Sequence, residues 1–136
     1  MKRILTILAA IVCLCSCEET NFDGAWDPME LDKTHLNFTS EGGEQGIVVM
    51  NYSRVWIVGA YKEDSVDYIY PTSTGGDDAY ADDFLDSDWY RVSIPNKGKS
   101  NTVIVSVDPN YTTKPRTAII DLTSGDVFAS ISIHQN

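Results

Sequence analysis

The sequence is poor in the residues that carry most covalent and acid–base chemistry. Its 136 residues hold 3 cysteines, 2 histidines and 10 basic side chains against 20 acidic ones. Cys13, Cys15 and Cys17 all fall at the start, so the body of the chain has no disulfide and no thiolate metal site. His35 and His134 lie far apart on expected strands and read as half-exposed strand residues rather than as a base. No GxSxG elbow and no glycine loop for gripping phosphate is present. Paired carboxylates exist in number, but a glycosidase needs two of them on a rigid cleft. These absences point away from an enzyme. The shortage of Lys and Arg likewise excludes nucleic acid, whose phosphates must be neutralised by basic side chains. It also disfavours electrostatic docking on anionic lipid.

What is present begins at the N-terminus. Lys2 and Arg3 precede an apolar run from Ile4 to Leu14, broken only by Thr6. That run is shorter than the about 20 residues a membrane-spanning helix needs, and it has the layout of a secretory signal. Leu14-Cys15-Ser16-Cys17 resembles the bacterial lipobox, which implies cleavage after residue 16 and lipid on Cys17. The expected products are a signal peptide at 1–16 and a mature chain at 17–136, held to a membrane through the acyl chains. Losing Lys2 and Arg3 leaves 8 basic side chains against the 20 acidic ones. Residues 17–29 are polar and acidic and read as a flexible tether. Glu18 and Glu19 directly after the cysteine resemble the surface-export signal of Bacteroidetes lipoproteins, which implies an outer-membrane protein facing outward.

From Glu30 onward the pattern is strand after strand. Apolar β-branched and aromatic runs occupy 31–38, 47–52, 55–61, 89–94, 102–107, 117–122 and 127–133. In the last, Val127, Ala129, Ile131 and Ile133 alternate with Phe128, Ser130, Ser132 and His134, the period of a strand with one buried face. Gly, Pro, Asn and Asp mark turns at 40–46, 95–98, 108–110, 114–115 and 124–126. With a further short strand at Tyr68–Tyr70, the expectation is an all-β domain over 30–136. Its form is an immunoglobulin-like antiparallel β-sandwich of about seven or eight strands. Parallel pairing is not expected, for want of crossover helices.

Residues 64–88 interrupt this rhythm with many Asp, three Tyr and a Gly pair, and read as a long exposed loop. Tyr61, Tyr68, Tyr70, Tyr80 and Phe84, in or beside it, are the candidate ligand-binding residues. Trp56 and Trp89, each at the start of a β-branched run, read as core. Asp77, Asp78, Asp82 and Asp83, with Asp86 and Asp88 beyond them, are candidate oxygen ligands for calcium. EF-hand spacing is absent, and a solvated acidic loop needing no cofactor is the simpler reading.

The second half carries an ordered series of features. Trp89 opens a strand, Gly98 sits in a turn, and Val103–Val107 alternate. Asn110 then precedes a Thr-rich turn, Arg116 opens the next strand and Gln135 ends the last one. In this order they resemble the BACON family, a Bacteroidetes-associated immunoglobulin-like module often appended to surface glycan-handling proteins. Trp56 matches an earlier tryptophan of the family, although 64–88 lengthens the interval to Trp89. The resemblance spans about residues 30–136 and is strongest from 88. It implies a sandwich and a module that binds carbohydrate or mucin, while other members are read as spacers. The alternative is a structural or protein-interaction lipoprotein with a protein partner in an envelope complex.

Overall fold

The computed structural model describes residues 26–63, 65, 67–74 and 82–136. Period-two alternation builds both sheets. In β7 (Thr102–Val107), Val103, Val105 and Val107 are buried while their neighbours are half-exposed. In β9 (Val127–Gln135) the buried set is Ile131, Ile133 and Gln135. The other strands are β1 (His35–Phe38), β2 (Gly43–Val48), β3 (Trp56–Tyr61), β4 (Tyr68–Ile69), β5 (Phe84–Asp86), β6 (Tyr90–Ser93) and β8 (Arg116–Ser124). One sheet runs β1-β9-β8-β3-β4 and the other β2-β7-β6-β5. The inner faces meet in one core that includes Leu36, Ile47, Ile57, Leu85, Val105, Ile120 and Ile131. The fold is an immunoglobulin-like β-sandwich. Among the described residues no helix is long and apolar enough to cross a membrane.

Three features differ from expectation. There are nine strands among the described residues, because the segment expected as a loop supplies β5 as well as β4. Phe84–Asp86 pairs with β6, and Thr72 bridges back to Phe84. Leu85 is the residue that draws this stretch into the sandwich, since it is 1 % exposed. Second, β1 pairs with β9 in parallel, His35 opposite Ser132 through Phe38 opposite Gln135. The two strands stand at opposite ends of the domain, so everything between them makes the connection and no crossover helix is needed. Third, the end of the expected tether is held. Tyr52 donates to the Asp27 carbonyl, Asn51 donates to the Pro28 carbonyl at 2.7 Å, and Met50 N donates to Glu30 O at 2.8 Å.

The opposite end of the sandwich is closed by a buried polar cluster. Gln135 is fully buried and donates to the carbonyls of Thr39 (3.0 Å) and Asp108 (2.9 Å). Its own Oε1 accepts from Arg116 Nε at 2.8 Å. The Arg116 guanidinium sits 4.5 Å from the ring centroid of buried Trp89, a cation–π contact. Asn110 donates to Lys114 O and Asn136 O and accepts from Thr112, which shapes the Thr-rich turn. Every one of these polar groups is paired, as burial requires.

At Pro95–Gly98 the chain makes one helical turn of left-handed hand. Asn96 (φ 56°), Lys97 (φ 55°) and Gly98 (φ 75°) are consecutive left-handed residues. Only Gly adopts that region without steric cost.

Candidate ligand-binding face

The register of β3 against β8 decides what the five-stranded sheet shows to solvent. Trp56 stands opposite Thr123 and Ile57 opposite Leu122, but Gly59 stands opposite Asp121. Val58 is therefore an extra residue, a β-bulge. In a regular strand Trp56 and Tyr61, five positions apart, would point to opposite faces. The bulge reverses that parity, so Ile57 and Ala60 enter the core while Trp56, Gly59 and Tyr61 lie on the outer face. Continuing the rows across β9, Thr123 faces Phe128, Asp121 faces Ser130 and Ile119 faces Ser132.

Gly59 allows an unusually close approach. A methyl group there would come within 2.1 Å of Tyr68 Cε1 and 2.6 Å of Tyr68 Cζ. The Tyr68 ring is thus laid across the sheet over the missing side chain, which is why Gly59 is buried although it faces outward. Tyr61 stacks on Tyr68 with centroids 5.9 Å apart and planes 19° from parallel. Tyr70 adds a third ring at 5.1 Å, tilted by 58°, and is 75 % exposed. The Tyr68 hydroxyl reaches Asp121 Oδ2 at 3.5 Å, and Ser130 Oγ donates to Asp121 Oδ1 at 2.6 Å. Partial burial, and then the Asp121 carboxylate, hold the Tyr68 phenol above its usual pKa, so it remains a neutral donor. Three aromatic rings thus adjoin a carboxylate and a hydroxyl.

At the other end of the same face, Trp56, Thr123 and Phe128 line an open cleft with Val58 and Gly125. Phe128 is 67 % exposed, and the Arg54 guanidinium lies 5.5 Å from the Trp56 ring centroid. A further cleft, at the Trp89 end, holds Lys62, Glu63 and Arg116. Arg116 there is committed to Gln135, Asp108 and Pro109.

Of the residues singled out from sequence, Tyr61, Tyr68 and Tyr70 come together on this face. Phe84 lies instead on β5 of the other sheet, half-buried opposite Ser93. Tyr80, Asp77, Asp78 and Cys17 lie outside the described residues. Asp82 is an exposed side chain whose carbonyl accepts from Ile57 N at 2.9 Å. Asp83 is not the solvated loop carboxylate expected from its surroundings. It is 2 % exposed, and its two oxygens accept from Thr74 N (2.7 Å) and Thr74 Oγ1 (2.5 Å), pinning the segment before β5. Among the described residues, no group of three His, Cys, Asp or Glu is arranged to hold a metal ion. Trp89 is core, as expected; Trp56 is half-exposed on the outer face, because the bulge turns it away from the core. Asp121, Ser130 and Phe128 were not singled out. Phe128 had a legible signal, an apolar residue on the otherwise polar half of the β9 alternation.

Fold and face together define an immunoglobulin-like sandwich that presents an aromatic sheet face to solvent. Residues 72–136 match the model of the BACON family, whose description reads "Putative binding domain, N-terminal". The matched stretch holds β5 to β9, yet β7, β8 and β9 take β2, β3 and β1 as partners, so both sheets also need strands before it. Among solved structures, the chain is similar to a Bacteroides thetaiotaomicron protein determined by NMR. The TM-score is 0.63 at 25% identity, covering 88% of this chain and 96% of that one. A Bacteroides ovatus GH5 xyloglucanase in complex with a XXXG heptasaccharide matches at TM-score 0.49 and 18% identity. That likeness covers 79% of this chain and 18% of the other. No curated protein matches. Trp89, Asn110, Arg116 and Gln135, which carry the family resemblance in the sequence, all build the closed end of the sandwich rather than the aromatic face.

Proposed function

We propose that this protein is a non-catalytic lipoprotein of the bacterial cell envelope, displayed at the outer surface, that binds carbohydrate on the outer face of its five-stranded sheet. The observation that carries this reading is the Tyr68 ring laid over Gly59, flanked by Tyr61 and Tyr70 and adjoined by Asp121 and Ser130. Aromatic faces suit the C–H faces of pyranose rings, and a neighbouring carboxylate accepts from sugar hydroxyls. A ligand site of this kind is an apolar surface with a few convergent polar groups. The acidic balance of the chain, 20 carboxylates to 10 basic groups, favours a neutral glycan over a sialylated or sulfated mucin chain.

In this reading Cys17 supplies the lipid anchor and Glu18 and Glu19 the export signal; Cys17 is the residue whose reach bears on the face. It lies ten positions before Asp27, a reach of at most about 35 Å. Asp27 is held beside Tyr52, at the corner leading into β3, so the Trp56 end of the face is nearer the point where the expected tether joins the domain. Replacing Cys17 by Ala moves the protein from the membrane to the soluble fraction; unchanged membrane fractionation refutes the anchor.

Binding is tested with the mature chain carrying Cys17→Ala on an array of plant and host glycans. Retention on neutral polysaccharides, lost on Tyr70→Ala without a change in melting temperature, is expected. A folded sample silent across the array overturns carbohydrate binding. A stoichiometric protein partner recovered from envelope extract would then assign the face to a protein.

A further inference from the structure

We infer that the ligand is an extended chain of neutral sugars lying along β3 and β8, held at two aromatic stations rather than in one monosaccharide pocket. The inference rests on the carbohydrate reading above and adds ligand length and direction to it.

The geometry follows from the bulge at Val58. Tyr61 stands opposite Ile119 and Trp56 opposite Thr123, so the two stations are four residues apart along β8. At about 3.3 Å per residue they are roughly 13 Å apart, too far for one sugar ring to touch both. Midway between them is the row of Gly59, Asp121 and Ser130. On β8 and β9 the middle of the track is polar, and on β3 the Tyr68 ring reaches over Gly59 towards it. Tyr61 and Tyr68, paired across β3 and β4, form one station, Asp121 with Ser130 the centre, and Trp56 with Phe128 the other, while Tyr70 flanks the centre from the β4 side.

Each part suits an extended glycan. The most exposed rings, Tyr70 at 75 % and Phe128 at 67 %, flank the track on its two sides, Tyr70 just past β4 and Phe128 on β9, each open to a sugar ring. Asp121 is half-exposed between them, its carboxylate available to hydroxyl donors beside Tyr68 and Ser130. No basic side chain lies in the central row, which disfavours an anionic polymer there. The polar middle also argues against an apolar helix or a membrane surface as the occupant, since either would bury the Asp121 carboxylate with no cation in its row to offset the charge.

Length dependence tests this. The mature chain carrying Cys17→Ala is screened by affinity electrophoresis on neutral polysaccharides: xylan, galactomannan, mixed-linkage β-glucan and starch. Oligosaccharides of the retarding polymer, two to six units long, are then titrated by calorimetry. Affinity is expected to rise about tenfold from the disaccharide to the hexasaccharide, equivalent to about 1.4 kcal/mol. Phe128→Ala and Trp56→Ala are each expected to reduce hexasaccharide affinity to that of the short ligands, abolishing the length dependence. Phe128 is exposed, so its truncation leaves the fold intact and separates lost binding from lost structure. Equal affinity at all lengths, or a Phe128→Ala variant that binds hexasaccharide normally, overturns the two-station track while carbohydrate binding stands. No retardation on any polymer overturns both.

Discussion

Replacing Gly59 by Ala isolates the contact on which the aromatic face depends. Ala in place of Gly inside a strand ordinarily stabilises by about 0.5–1 kcal/mol through reduced chain entropy. Here the new methyl meets Tyr68 Cε1 at 2.1 Å and the Ile69 carbonyl at 2.7 Å, well inside contact distance. Either the Tyr68 ring swings off the sheet or β4 parts from β3. Overpacking of this kind costs about 1–3 kcal/mol. Loss of the Tyr61–Tyr68 stack adds about 0.5–1.5 kcal/mol. The expected net loss is therefore about 1–3 kcal/mol, or a fall in melting temperature of about 4 °C per kcal/mol for a domain of this size. Urea denaturation and near-ultraviolet circular dichroism of the tyrosines are the assays. The decisive comparison repeats Gly59→Ala in a Tyr68→Ala background, where most of the cost should vanish and leave the share due to the Ile69 carbonyl. A coupling of at least about 1 kcal/mol is expected for groups in direct contact. If Gly59→Ala costs the same in both backgrounds, the ring does not lie over Gly59 and the reasoning fails.

Other perturbations probe the rest of the fold. Gln135→Ala strips Thr39 and Asp108 carbonyls of a donor and Arg116 Nε of its acceptor, and should lower stability by about 3 kcal/mol. A loss below about 1 kcal/mol in urea titration would contradict that pairing. Lys97→Gly relieves a left-handed residue (φ 55°) and should stabilise by about 0.5–1 kcal/mol, the steric gain exceeding the added unfolded-state entropy. A destabilised variant would refute the left-handed turn. Burial raises the Tyr90 phenol above its unfolded pKa of about 10, so the folded state holds that proton more tightly. The resulting stability is complete below pH about 10 and lost as pH rises through the folded value. Tyr90→Phe should flatten this alkaline decline in melting temperature, and an unchanged slope would assign it elsewhere.

Much of the fold was legible in the chain itself. Alternation in 102–107 and 127–133 identified strands and their buried halves, because a pleated strand sends successive side chains to opposite faces. The polar half of β9 even carried Phe128, the outward aromatic that marks one end of the proposed track. Trp89 as core and the sandwich class were readable from apolar content and turn spacing. Three matters were settled only by long-range pairing. Leu85 and Asp83, inside what reads locally as an acidic loop, became buried when β5 docked on β6. β1 found β9 in parallel because the whole domain separates them. Above all, local sequence could not say which face Trp56 and Tyr61 share. Alternation specifies parity only within a regular strand, and the extra residue at Val58 is defined solely against the register of β8, some sixty positions later. The residues of the candidate site were therefore visible one by one, while their common face was a property of the sheet.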